Sequence, residues 1–217
     1  MEYNPPAQTA PDILFQDDFL LIVNKPSGLL SVPGKGEEKQ DCLISRVQSE
    51  YSDAVIVHRL DMSTSGLMII ARGKEMESYL SILFQQRKVK KKYTAIVEGE
   101  VNPLSGEINL PLMTDWPNRP KQKVDFESGK PSQTKYLVLS YDKNTDTTRI
   151  ELTPITGRTH QLRVHMQSLK HPILGDELYA DKASIDKASR LLLHANYLSF
   201  QHPISDEILK YNSKPEF

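Results

Sequence analysis

Val57-His58-Arg59-Leu60-Asp61-Met62-Ser63-Thr64-Ser65-Gly66 runs without a break into Leu67-Met68-Ile69-Ile70-Ala71. A polar turn leads straight into an apolar run that, continued to Arg72, reads as a buried strand. Gly66 allows close backbone approach at the start of that strand. The turn holds one carboxylate, Asp61, between a His-Arg pair and a set of small hydroxyl residues. Such a carboxylate can be a nucleophile, a general base or a structural cap, and for an Asp in a turn capping is the commoner role. Three features favour chemistry. Arg59 brings positive charge, Ser63, Thr64 and Ser65 bring hydroxyl donors, and the rim of a buried strand gives the rigid support that a nucleophile requires.

Outward from this strand the chain alternates between short elements. Residues 1–12 are polar and proline-rich and read as an extended arm, with residues 13–217 as one domain. Ile13–Phe15 and Leu20–Asn24 read as strands joined at Gln16-Asp17-Asp18, and Gly34–Lys39 as a mobile loop. Asp41 is placed to cap a helix reaching about Tyr51, with Leu43, Ile44, Val47 and Tyr51 on one face. Lys74–Gln86 has the apolar spacing of a second helix, through Met76, Tyr79, Leu80, Leu83 and Phe84. Lys92–Glu98 alternates as a strand, and Thr134–Tyr141 and Thr148–Thr153 flank a hairpin loop. Gly157–Leu169 reads as a helix with Leu162, Met166 and Leu169 inward, and Arg190–Phe200 as a last long strand. The pattern predicts an α+β fold, a largely antiparallel mixed sheet with flanking helices and loops.

The chain has 217 residues, 38% of them apolar and 25% charged, which suits a folded domain that needs no disulfide or metal. Its single cysteine, Cys42, has no partner for an internal disulfide, as expected of a reducing compartment. The N-terminus lacks a basic and apolar leader, and no apolar run approaches a membrane span. These readings point to a cytoplasmic protein without a membrane partner, and nothing in the pattern argues against a monomer.

Net charge is -1, so bulk charge announces no polyanion, but its distribution does. Arg87–Lys92 is a dense basic block ending at Tyr93, Arg119–Lys123 is a second, and Arg158, His160, Arg163 and His165 form a third. Local basic patches of this kind track phosphates. Tyr93, next to lysines at the start of a strand, is placed to stack on a nucleobase, although the commoner fate of such a residue is core packing. His160 and His165 have the wrong spacing for one helix face, and no Glu follows the first, so no metal site is expected. An arginine from Gly157-Arg158-Thr159-His160-Gln161-Leu162-Arg163-Val164-His165 beside a buried carboxylate would hold it ionised.

His58–Gly66 resembles the HRLDxxTSG signature of the RluA-type pseudouridine synthases. Asn24-Lys25-Pro26-Ser27-Gly28, Lys91-Lys92-Tyr93-Thr94-Ala95 and Gly157–His165 resemble three further motifs of that family, in the same order. Asp115-Trp116-Pro117-Asn118-Arg119-Pro120-Lys121-Gln122 resembles an insert of the RluA branch. The resemblance implies the pseudouridine synthase catalytic fold and isomerisation of uridine in RNA without cofactor or metal. It implies that Asp61 is the nucleophile, attacking C1′ or C6, with Arg163 as its ion partner and Tyr93 against the uracil. Leu162 would line the base pocket. Arg59 would fill the space left by the flipped uridine, and Arg158, Lys91, Lys92 and Arg119 would contact RNA. The implied substrates are a 23S ribosomal RNA stem-loop and the anticodon stem-loop of tRNAs. The rival readings are a catalytically silent RNA-binding or remodelling protein of the same fold and a sugar glycosidase. The glycosidase would need a second catalytic carboxylate that the chain does not offer.

Overall fold

A computed structural model describes residues 3–217. They form two compact units, one made of the chain up to Lys91 with Ala195–Glu216, the other of Lys92–His194 with Phe217. Among the described residues no helix is long and apolar enough to cross a membrane.

The first unit starts with a hairpin, β1 (Asp12–Gln16) and β2 (Leu20–Lys25). Asp17 closes it by accepting the Phe19 and Leu20 N–H groups at 2.8 Å each. The chain continues through α1 (Leu43–Gln48), β3 (Ala54–Ile56), β4 (Ser65–Arg72) and α2 (Gly73–Gln85). β2 pairs antiparallel with both β1 and β4, and β3 pairs with the far end of β4. The apolar run foreseen from Leu67 is buried from Ser65 to Ala71. α2 lays Met76, Leu80 and Leu83, with Phe84 against them, on Leu20, Ile22, Leu67, Ile69 and Ala71, whereas Tyr79 of the expected stripe is exposed.

The first helix corrects two sequence expectations. Cys42, not Asp41, occupies its N-cap, in a reciprocal box with Ser45, and Tyr51 lies beyond its end. Asp41 instead pairs with Arg46, accepting Nη2 at 2.7 Å and Nε at 2.8 Å. That bond holds the Asp41 carboxyl below the usual carboxylate range. The same guanidinium donates to the Pro6 and Ala7 carbonyls, and the Tyr3 hydroxyl donates to the Asp41 carbonyl, so the N-terminal arm is fastened down. The Gly34–Lys39 loop is a closed turn, with Gly34 N–H on the Lys39 carbonyl at 2.8 Å.

The second unit holds β5 (Lys90–Glu98, entered from the first unit), β6 (Ser105–Asn109), β7 (Leu112–Thr114), β8 (Gln122–Val124), β9 (Gln133–Asp142) and β10 (Thr147–Pro154). Helices α3 (Gln161–Ser168) and α4 (Lys182–Asp186) follow. The strands run β5-β10-β9-β6, each pair antiparallel, and β7 with β8 makes a separate hairpin. The β9–β10 hairpin stands where its turn residues put it. α3 begins four residues later than the spacing suggested, because residues 157–160 form a loop that ends at His160 in the left-handed conformation, φ 53°. The chain then returns to the first unit with β11 (Leu193–Gln201), beside β4, and β12 (Ile208–Asn212), antiparallel to β11. The result is the expected α+β fold with antiparallel strand pairing.

Candidate active site

In the first unit the Asp61 turn joins β3 to β4, and its backbone is held from outside. Lys25, 1% exposed, donates Nζ to the carbonyls of Pro26 (2.8 Å), Leu29 (2.7 Å) and Met62 (3.0 Å). Met62 O also accepts the Gly28 N–H at 2.9 Å. Ser27 Oγ donates to the Ser63 carbonyl at 2.8 Å, and Ser31 Oγ to that of Leu60 at 2.7 Å while accepting the Leu60 N–H. The carbonyls on both sides of Asp61 are therefore anchored to the segment after β2. A buried ammonium with three carbonyl acceptors strongly favours one loop geometry, since leaving such a charge unsatisfied is costly. The turn closes with Thr64 N–H on the Asp61 carbonyl at 3.1 Å.

Gly66 sits at φ +115°, and a Cβ there would lie 2.4 Å from the Ala195 carbonyl oxygen of β11. This is the close approach that the glycine was expected to allow. Asp61 is left half-buried at the strand's rim, and Arg59 is exposed. Thr64 at the end of the turn and Ser65 at the start of β4 are buried.

His58 is structural. Its Nε2 accepts the Ile69 N–H at 2.9 Å, and its ring stacks on Phe84 with centroids 4.4 Å apart. Burial, aided by the charge of Lys91, pushes its pKa down to about 3. The unfolded chain therefore takes up a proton that the folded chain refuses. The stabilisation by neutral His58 is complete above about pH 6.5 and is lost as pH falls toward 3. NMR titration of the imidazole protons should leave His58 untitrated between pH 8 and 4.5, and a midpoint near 6.5 would contradict this arrangement.

In the second unit β5 places Tyr93, 9% exposed, opposite Leu152 of β10. α3 carries Leu162 and Arg163, both buried. Arg163 makes a two-pronged bond to Asp176, Nε to Oδ2 at 2.8 Å and Nη2 to Oδ1 at 2.6 Å. Asp176 is 1% exposed and also accepts the Leu178 and Tyr179 N–H groups. A bidentate fork fixes the guanidinium plane as a single bond would not.

Gln161, the first residue of α3, folds the loop before it. Its Oε1 accepts the Thr156 hydroxyl (2.7 Å) and the Arg158 N–H (3.0 Å), and its Nε2 donates to the Gln133 carbonyl and to Thr134 Oγ1. This is why residues 157–160 are loop rather than helix. His165 bonds Thr134 Oγ1 at 2.9 Å and the Leu110 carbonyl at 3.2 Å, and burial lowers its pKa. His160 bonds the Tyr179 hydroxyl at 2.7 Å.

The remaining candidates fall into two groups. Arg158 and Arg119 are exposed, with Arg119 over the Trp116 ring at 4.7 Å. Lys92 pairs with Glu151 at 3.0 Å, and Lys91 lies 5.5 Å from the Phe84 ring centroid with its pKa lowered by burial. In the basic block it is Arg87, Lys88 and Lys90 that stand exposed. Within the second unit the structure gathers Arg163, Asp176, His160 and Tyr179. Within the first it sets Asp61 on its anchored turn with Arg59 two residues before it. Sequence reasoning gave no role to Lys25, Ser27, Ser31, Gln161, Asp176 or Tyr179. Lys25 and Ser27 lay inside a quoted motif, whereas Asp176 and Tyr179 carried no local signal.

The family model described as RNA pseudouridylate synthase matches residues 19–168. The chain is 56% identical over 208 residues to the dual-specificity RNA pseudouridine synthase RluA of Vibrio parahaemolyticus, covering 94% of this chain and 83% of that protein. It is 50% identical over 215 residues to the protein of the same name from Escherichia coli K12, covering 99% and 98%. Among solved structures, human RNA pseudouridylate synthase domain containing 1 matches with a TM-score of 0.81 at 28% identity, over 99% of this chain and 87% of that one.

Proposed function

The chain belongs to the RNA pseudouridylate synthase family, and on that footing we propose that it isomerises uridines in a 23S ribosomal RNA stem-loop and in the anticodon stem-loop of tRNAs. The observation that carries the reading is Asp61 on a turn whose backbone is anchored at Leu60, Met62 and Ser63. An anchored carboxylate at a strand rim suits a nucleophile that must meet one atom of a flipped nucleotide. Similarity to two proteins named as dual-specificity RNA pseudouridine synthases supports two kinds of RNA target.

In this reading Arg59 fills the place of the extruded uridine, at a cost of a few kcal/mol for unstacking. Asp61 attacks C1′ of the ribose or C6 of the uracil. The C1′–N1 bond breaks, the uracil turns, C1′ bonds to C5, the bond to Asp61 breaks to return the carboxylate, C5 gives up its proton and N1 gains one. Arg163, its plane set by Asp176, is the ion partner of the Asp61 carboxylate. Tyr93 packs on the uracil and aids removal of the C5 proton, and Leu162 lines the base pocket. Arg158 and Arg119, with the exposed members of the Arg87–Lys92 block, grip phosphates. Lys92 reaches RNA only by leaving Glu151. The chain acts as a monomer.

Pseudouridine mapping in total RNA from a strain lacking the gene tests the targets. The expected outcome is loss of pseudouridine at one site in 23S rRNA and in the anticodon loop of a tRNA subset. An unchanged map in both RNAs would overturn the assignment.

A further inference from the structure

The β7–β8 hairpin, residues 112–124, is joined to the rest of its unit unevenly. Its base is well fastened: Leu112 is 3% exposed and exchanges backbone hydrogen bonds with Lys130 (3.0 and 2.8 Å). Toward the tip the bonds are internal, Asp115 N–H to the Lys121 carbonyl and Lys121 N–H to the Asn118 carbonyl. Where β8 runs past α3, a groove of about 400 Å³ is lined by Lys121, Lys123, Val164, Gln167 and Tyr179. At this groove a hydroxyl joins the hairpin arm to its unit, with the Gln122 N–H donating to Tyr179 Oη at 2.7 Å.

The same hydroxyl meets His160 Nδ1 at 2.7 Å. A backbone N–H can only donate, so Oη accepts from Gln122, and the same oxygen is bonded to the His160 ring, which makes one hydroxyl the joint between the hairpin and the loop before α3. The Tyr179 ring faces the Arg163 guanidinium at 5.2 Å, and its N–H bonds the Asp176 carboxylate that grips Arg163.

We propose that Tyr179 is a positioning residue, a latch that ties the hairpin carrying Trp116 and Arg119 to the His160–Arg163–Asp176 cluster and so sets how firmly the RNA loop is gripped. The latch rests on the RNA-modifying function proposed above, but its test need not. Trp116 is the only tryptophan of the chain, 64% exposed at the hairpin tip under Arg119, so its fluorescence reports the hairpin alone.

Tyr179→Phe removes the hydroxyl and keeps the ring over Arg163. Time-resolved anisotropy of Trp116 should show a faster, larger-amplitude local motion than in the parent, with the unfolding temperature little changed. On an anticodon stem-loop transcript kcat/KM should fall roughly ten-fold, the loss appearing in KM, as expected when two hydrogen bonds that seat a binding element are lost. His160→Asn, which tolerates the left-handed backbone but is too short to reach Oη, should move both readings the same way by less. Unchanged Trp116 motion in Tyr179→Phe would overturn the latch, and so would a loss in kcat with KM intact. If neither protein modifies RNA, the function proposed above fails, and the anisotropy still decides the latch.

Discussion

Asp61→Asn is expected to lower single-turnover isomerisation by at least ~10⁴-fold, the scale on which removing a nucleophile acts when the rest of a site remains. Asn is nearly isosteric with Asp, and the anchors of the turn are backbone carbonyls of Leu60, Met62 and Ser63, which the change does not touch. The loop should keep its geometry. RNA affinity should stay within about threefold of the parent or tighten, because phosphate contacts dominate binding and a negative charge is being removed. Filter binding and rapid-quench assays on the same stem-loop separate the two effects. A catalytically silent binder would lose nothing in any assay, and a mere cap would lose stability before turnover.

Gly66→Ala is expected to cost more stability than any other glycine-to-alanine change considered for the first unit. Two penalties add. An L side chain at φ +115° is strained, at about 1–3 kcal/mol. The new Cβ would also lie 2.4 Å from the Ala195 oxygen and 2.5 Å from its nitrogen, both backbone atoms of a neighbouring strand. Backbone cannot swing aside as a side-chain tip can, so β4 and β11 must separate. A loss of about 4 kcal/mol fits the largest single-residue effects, and for a chain of this size lowers Tm by roughly 8–16 °C. Gly73→Ala is the control. Its φ is +77° but nothing lies within 4 Å of the added carbon, so only the conformational strain applies. Thermal unfolding of the two variants checks this, and equal Tm values would contradict the close contact.

What could be read from the chain, and what could not, divides by the range of the interactions. The strand after Gly66, the helix with Met76, Leu80 and Leu83, and the β9–β10 hairpin rest on local periodicity and turn chemistry, and each stands within a few residues of its expected place. Asp41 was misjudged because a capping Asp and an Asp bonded to an arginine five residues on look alike locally. The start of α3 was misjudged because the decisive bonds run from Gln161 to Gln133 and Thr134, more than twenty-five residues away. β3, β7 and β8 are three residues each, too short for a period to show, and β12 alternates over only five residues.

The site divides in the same way. Asp61, Tyr93 and Arg163 are candidates because each lies inside a short motif that can be read locally. Lys25 beneath the Asp61 turn and Asp176 behind Arg163 are buried polar partners found only by distance.

Isomerisation at uridine must release the hydrogen on C5, because that carbon exchanges its proton for the bond to C1′. The most direct measurement is therefore tritium release into water from an anticodon stem-loop carrying C5-tritiated uridine, with the purified protein and no added metal or cofactor. The expected result is release that matches the pseudouridine formed and is absent with Asp61→Asn. Stable binding of that RNA and of a 23S stem-loop by the parent protein, with no tritium released from either, would contradict it.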